Sequence, residues 1–277
     1  MLSTLKLLSA TLLVSTVLSA NTNDKVEDFL EESFSKNPNV KELDVHVVDS
    51  ISLQKPRGWK GLIVDVKATL HTPREDKKIK QKMVWFSNGE VIAKELLDLE
   101  TGLSLRDSVT PSFHTEYYKK ENLIYGDINA KHKVVLFSDP LCPFCRKFVP
   151  EAIRYMKKYP HKFAIYYFHF PLDSIHPASV ALTKAAVAAE LQGVKDVTLK
   201  LYNVQVNARE KNITKILKAF NDVMNTNLKA SDLEQPKVLE HTQADMDIAT
   251  DMMVRGTPTM FFDSKLDKTK RKYKEVN

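Results

Sequence analysis

At 277 residues, 43% hydrophobic and 27% charged, the chain has the make-up of a soluble globular protein with room for a core in each of one or two domains. Its net charge of +6 comes from lysines mixed with acids, except for the cluster Lys268, Lys270, Arg271, Lys272 and Lys274; this offers no basic stripe for nucleic acid, and the cluster reads as a solvated edge. The cysteine count of 2 excludes a zinc site built from cysteine alone.

Residues 1–20 carry Lys6, an apolar run from Leu7 to Leu18 and the small pair Ser19-Ala20 before a polar stretch. The pattern predicts a cleaved secretory signal, short for a bilayer span; a retained membrane anchor is the alternative. Lys6 is the only charge in this segment, so its removal takes the net charge from +6 to +5. Export to an oxidising compartment would let a cysteine pair cycle with client thiols and disulfides.

Apolar residues at 26, 29, 30 and 34 predict a short amphipathic helix ended by Asn37-Pro38. Four strand-like stretches follow, at about Glu42–Leu53, Trp59–His71, Lys78–Ser87 and Glu90–Leu97, with Asn88-Gly89 as a tight-hairpin signal. A helix leading into an antiparallel meander predicts a separate α+β domain over 21–104, without a catalytic constellation. Residues 105–124 are expected to be a linker helix with Leu105, Val109, Phe113 and Tyr117 on one side.

From about 125 the pattern becomes α/β, with a strand at 133–137, a helix at 143–158 kinked by Pro150, and a strand at 163–170. Cys142-Pro143-Phe144-Cys145 falls at the turn between the first strand and the helix. A thiolate at a helix N-terminus is stabilised by unpaired backbone N–H groups and by the helix dipole, which makes Cys142 the candidate nucleophile. Cys145, one turn into the helix, is expected to be less exposed and to resolve a mixed disulfide. Pro143 and Phe144 form the loop between them and bring no hydrogen-bonding side chain. Zinc ligation with His132, His169 and His176 fits no ligand spacing, and a structural bridge closing so short a loop would stabilise weakly. Redox chemistry is the favoured reading, with no metal or cofactor.

Pro177 opens an alanine-rich helix to about Leu191, with Gly193 beyond it. Further helices are expected at 197–204, 213–224 and 236–252, together forming an insertion of about 178–252 before a final strand at Thr259–Phe262. Thr257-Pro258 precedes that strand; X–Pro bonds alone can become cis at small cost, although trans is commoner.

With both elements in view, the chain resembles the thioredoxin superfamily, and within it the exported bacterial disulfide oxidoreductases and isomerases of the Dsb type, especially the dimeric ones. Ser138-Asp139-Pro140-Leu141-Cys142-Pro143-Phe144-Cys145 is similar to their active-site segment, and Gly256-Thr257-Pro258 to their cis-proline loop. The resemblance implies an α+β two-domain protein: a cystatin-like dimerisation domain at 21–104 and a thioredoxin-like α/β catalytic domain at 125–277 with the helical insertion. It implies that Thr257 and a cis Pro258 bind substrate backbone beside the cysteines, that the chain is a homodimer, and that unfolded or reduced exported proteins and a membrane redox partner meet it in the periplasm. Two departures stand out. The tail after Phe262 looks strand-like at 272–276 where the family closes with a helix, and position 136 is Leu where monomeric relatives bury an acid, Asp139 being nearer and expected to be exposed.

The function this predicts is a periplasmic thiol–disulfide oxidoreductase that introduces or reshuffles disulfides through an exposed Cys142 sulfur. The alternatives are a disulfide isomerase with chaperone activity, a non-catalytic periplasmic chaperone, and a haem-maturation reductase, which would need a dedicated reducing partner.

Overall fold

The computed structural model describes the backbone of residues 8–73 and 75–276, and the side chains of 22–276 other than 74 and 107. The chain divides into two compact units between Pro111 and Ser112.

In the first unit a helix α1 (Leu8–Ser35) precedes strands β1 (Val40–Ser52), β2 (Lys60–His71), β3 (Asp76–Ser87) and β4 (Ile92–Ala93), paired antiparallel in chain order. Val26 and Leu30, one helical turn apart, pack on Leu62, Val64 and Val66, which alternate along one face of β2, and on Trp85. The leader expected over 1–20 lies outside the described residues at 1–7, and from Leu8 only its helical backbone is described, continuous with α1. Among the described residues no helix is long and apolar enough to cross a membrane.

The strand expected over 90–97 is realised only at Ile92–Ala93. Beyond it the backbone finds other partners: the Lys94 carbonyl accepts from Arg106 Nε at 3.1 Å and the Leu96 carbonyl from Leu105 N at 2.8 Å. No linker helix forms over 105–124 either; Leu105–Ser108, Thr115–Tyr117 and Lys120–Asn122 are separate 3-10 turns. Pro111 removes a backbone donor and disfavours helical geometry at Thr110. Phe113 is buried in the second unit, with the rings of Tyr117, Tyr118, Phe137 and Phe168 at 4.9–6.2 Å.

The second unit is built on a five-stranded sheet containing β5 (Leu123–Tyr125), β6 (His132–Ser138), β7 (Phe163–His169), β8 (Thr259–Phe262) and β9 (Lys265–Leu266), in the order β5-β7-β6-β8-β9. β6 and β7 are parallel and joined by α2 (Pro143–Met156), a βαβ crossover; the other pairings are antiparallel. Period-two alternation sorts the core. Val134, Leu136, Ile165, Tyr167 and Met260 face α2, whereas Val135, Phe137, Tyr166, Phe168 and Phe261 face the opposite side with Phe113 and Ile248.

Between β7 and β8 lie α3 (Pro177–Leu191), α4 (Val197–Leu201), α5 (Ile213–Met224) and α6 (Pro236–Asp251). Helix α3 is buried nearly all round, and its alanines let α4, α5 and α6 approach closely around it. Pro150 sits within α2 without ending it. The tail expected to be strand-like at 272–276 is a single helical turn, α7 (Lys272–Glu275). The cause is Asp267, 1% exposed, whose carboxyl accepts from Thr269 N and Lys272 N at 3.1 and 3.0 Å and so turns the chain. Tyr273 then buries its ring against Tyr155 and Phe148.

Gly126, at the end of β5, has φ +86°, and a Cβ there would stand 1.8 Å from the Phe163 carbonyl oxygen. A backbone atom cannot rotate away, so Gly126→Ala is expected to cost about 2–4 kcal/mol in chemical denaturation followed by circular dichroism. A loss below about 1 kcal/mol would show that β5 shifts freely.

Candidate active site

The two cysteines sit on α2 in different surroundings. Helix α2 buries Cys145, Val149, Ala152, Ile153 and Met156, a stripe at helical spacing that faces the sheet. Cys142 is instead the N-cap, with extended backbone (φ −66°, ψ 123°); its carbonyl accepts the first helical bond from Arg146 N at 3.0 Å, and Pro143 takes the first helical position, where no N–H is needed. The helix N-terminus therefore opens beside the Cys142 sulfur. Burial pushes the Cys145 thiol up to about 12, against weaker hydrogen bonding from Ser138. Cys145 is thus a neutral thiol at neutral pH. Both cysteines are unbridged.

Cys142 is less open than an exposed sulfur: the residue is 5% exposed against 0% for Cys145, while Phe144 stands 76% exposed at the rim. The cover comes partly from the loop before β8. The Thr257–Pro258 bond is cis, and Cys142 Sγ lies 3.6 Å from the Thr257 carbonyl oxygen as its donor. Thr259 Oγ1 donates to the Gly256 carbonyl at 2.7 Å and braces the same loop. Cys142, Cys145, Thr257 and Pro258, far apart in the chain, thus meet at one place, with Pro143 and Phe144 exposed above it.

Asp139 corrects an expectation. It is 0% exposed. Oδ1 accepts from Leu141 N at 2.7 Å, Cys142 N at 3.1 Å and Ser179 Oγ at 2.7 Å, and Oδ2 accepts from Leu172 N at 2.8 Å, with His176 Nδ1 at 3.1 Å. The side chain bonds the N–H groups of the second and third residues after it, as an Asx turn does, and gives an acceptor to buried donors that would otherwise have no partner. The signal available in the sequence was Ser179, a hydroxyl in the first turn of an alanine-rich helix. Arg146, half-buried, adds a second brace by donating from Nε to the Pro140 carbonyl at 3.0 Å and from a terminal nitrogen to the Val204 carbonyl.

Beneath the cysteines runs a chain of hydroxyls that sequence reasoning missed: Ser138 Oγ to the Tyr202 hydroxyl at 2.6 Å, and that to the Tyr167 hydroxyl at 2.8 Å. Burial raises both tyrosines well above their ordinary values, so they are neutral donors and acceptors. The three candidate histidines separate. His132 lies 2.8 Å from Asp263, His176 is beside Asp139, and His169 is buried with its ring edge-on to Tyr167. No group of three or more metal-ligating side chains occurs among the described residues.

Asp139→Ala leaves several buried donors unpaired, so it is expected to lose about 3 kcal/mol or more, with Asp139→Asn losing less because one acceptor oxygen remains. Denaturation curves of the two variants check this; equally small losses in both would show that the five contacts contribute little.

No curated protein matches the chain. Among solved structures it is similar to a thioredoxin-like oxidoreductase from Silicibacter pomeroyi DSS-3, at 22% identity over 53% of this chain and 83% of that one, with a TM-score of 0.43. Oxidised BdbD from Bacillus subtilis gives 17% identity over 60% and 92%, with a TM-score of 0.46, and the catalytic domain of Proteus mirabilis ScsC gives 19% over 55% and 82%, with a TM-score of 0.41. The family profile described as Thioredoxin matches residues 119–277, more than half of the chain and the whole of the sheet that carries the cysteine pair. The chain belongs to the thioredoxin family, and its Cys142–Cys145 pair is suited to thiol–disulfide chemistry.

Proposed function

We propose that the protein is a thiol–disulfide oxidoreductase of the periplasm that introduces or reshuffles disulfides in exported proteins. The observation that carries this reading is the contrast between the cysteines: Cys142 at the helix N-terminus against the cis-proline loop, and Cys145 sealed as a neutral thiol on the core stripe.

In the reducing direction, the Cys142 thiolate attacks one sulfur of a client disulfide. That bond breaks, the departing client sulfur leaves as a thiolate, and Cys142 remains joined to the other. Cys145 gives up its proton and attacks the Cys142 sulfur, the mixed disulfide breaks, and the second client sulfur departs with its electron pair, leaving Cys142–Cys145 oxidised. Donation of a disulfide is the reverse. In reshuffling, a client thiolate attacks the mixed disulfide before Cys145 does. The Thr257 and Pro258 backbone aligns the extended client segment beside Cys142. Periplasmic location rests on the leader pattern at 1–20.

For the first unit we propose self-association. Its support is β1, a 13-residue strand at the sheet edge that pairs on one side with β2 and presents the other. Sedimentation of the full chain is expected to return twice the monomer mass; a monomer would remove this part and leave the exchange chemistry standing.

Cys142→Ser is expected to abolish turnover in an insulin-reduction assay, and Cys145→Ser to accumulate mixed disulfides visible on non-reducing gels. In the reduced protein at pH 8, iodoacetamide is expected to label Cys142 and spare Cys145. Turnover by the Cys142→Ser variant, or equal labelling of the two thiols, would overturn the assignment of roles.

A further inference from the structure

A cleft of about 530 Å³ lies beside the active-site loops, lined by Phe144 from between the two cysteines and by Thr257 and Pro258. Phe144 and Pro258 form its end at the active site; Lys147 and Phe148 line the α2 side, and Lys270, Arg271 and Lys274 the side made by the C-terminal turn. Four cations thus line it, against the single carboxylate of Glu151, which Lys274 already holds at 2.9 Å. Lys270 and Arg271 make no salt bridge to a described residue.

The side chains of Arg271 and Lys274 are exposed, as expected of a solvated edge, but the backbone that carries them is fixed. The buried Asp267 carboxyl accepts from Thr269 and Lys272, Lys270 N donates to the Asp267 carbonyl at 3.2 Å, and Lys270 takes φ +55°. Tyr273, 1% exposed, anchors the turn with its ring 5.4 Å from Tyr155 and 6.4 Å from Phe148. Lys162 Nζ ties down the Val276 carbonyl at 2.7 Å. The fold therefore presents the basic cluster at the wall of a groove that also contains Phe144, Thr257 and Pro258, the neighbours of the reactive pair.

Resting on the oxidoreductase reading above, we propose that this cleft selects its clients by charge: it takes extended segments that carry aspartate or glutamate, with an apolar residue, beside the cysteine undergoing exchange. A chain joined to Cys142 and lying along Thr257–Pro258 has one flank in the cleft. Its carboxylates meet Lys147, Lys270 and Arg271, and its apolar side chain meets Phe144, a residue 76% exposed. Fixed charges of one sign in a concave surface raise the encounter rate with the opposite sign and disfavour like-charged partners. The effect is screened by salt, with a Debye length of about 10 Å at 0.1 M.

The test uses the full chain and three fluorogenic disulfide peptides of equal length, differing only in whether acidic, neutral or basic residues flank the cysteine. At low salt kcat/KM is expected to be about tenfold or more higher for the acidic than for the basic peptide, and the ratio to collapse in 0.5 M salt. In the Lys270→Glu/Arg271→Glu double variant the same ratio is expected to fall to about one or to invert; being a ratio within one variant, it is independent of the amount of folded protein. Exchange with the neutral peptide but an acidic-to-basic ratio near one in the unmodified protein would overturn the charge selection and leave the oxidoreductase reading intact. No exchange with any peptide would overturn that reading itself. A ratio unmoved by the double variant would place the selectivity outside this cleft.

Discussion

The site depends on one buried carboxyl group. Asp139 follows the last residue of β6, and its short side chain reaches back to the N–H groups of Leu141 and Cys142 and outward to Leu172 N and Ser179 Oγ. It thereby joins three segments that the chain visits separately: the turn into α2, the loop after β7 and the start of α3. Each buried donor left without a partner would cost about 1–3 kcal/mol, so Asp139 cannot be displaced without disturbing all three. Leu141 makes the same connection in apolar terms by packing into the core of the helical layer. The Cys142 N–H is held on one side by this network and its sulfur on the other by the Thr257 carbonyl, which leaves the N-cap little freedom.

A second buried acid extends the clamp. Asp245 on α6 accepts from His169 N at 2.8 Å and from Asn122 Nδ2 at 2.8 Å, while Phe170 N donates to the Ser138 carbonyl at 2.9 Å. The segment from His169 to Leu172 is therefore gripped by Asp245 at one end and Asp139 at the other. Burial pushes Asp245 up to about 7 and His169 down to about 3. For Asp245 the folded state holds the proton more tightly, so its contribution is present below about pH 4 and is lost as pH rises towards 7. For His169 the contribution is present above about pH 6.5 and is lost as pH falls towards 3. Over the shared interval the slopes of these two groups oppose each other.

Much of the scaffold was legible because it obeys short-range rules. The edges of α5 at Ile213–Met224 and the placing of Pro177 at the start of α3 follow from periodicity and from what proline can and cannot donate. The meeting of Cys142 with the loop at 256–258 was legible through the family likeness of two motifs, not through spacing. The misreadings share a cause, in that a distant partner decided the outcome. Asp139 looked exposed because its partners Leu172, His176 and Ser179 lie more than thirty residues away. The tail from Lys272 alternates like a strand, yet Asp267 and the Tyr273 ring dictate a helical turn. Residues 108–121 have helical periodicity, but Pro111 and the burial of Phe113 break the helix into separate turns.

Three positions separate the cysteines, and that distance suffices to give them opposite environments. Cys142, as N-cap, lies outside the helical stripe; Cys145 is the first member of it, followed by Val149, Ala152, Ile153 and Met156. Under the proposed cycle, closing the pair requires Cys145 to lose a proton from a place where its thiolate is strongly disfavoured. The polar groups beneath it are hydroxyls of Ser138, Tyr167 and Tyr202, already bonded in a chain, and the tyrosines are held neutral by burial. Leu136 places an apolar side chain, not an acid, at that level of the sheet, and the oxygens of Asp139 are engaged by five partners. The natural exit for the proton is therefore the side that bears the client, where the thiolate leaving the mixed disulfide is itself a base. Attack by Cys145 and departure of the client are thus coupled through one proton. A client that binds well along the cleft but whose bound sulfur is a poor leaving group, its thiol having a high pKa, would remain attached to Cys142, open to attack by its own second thiol, which is the condition reshuffling requires.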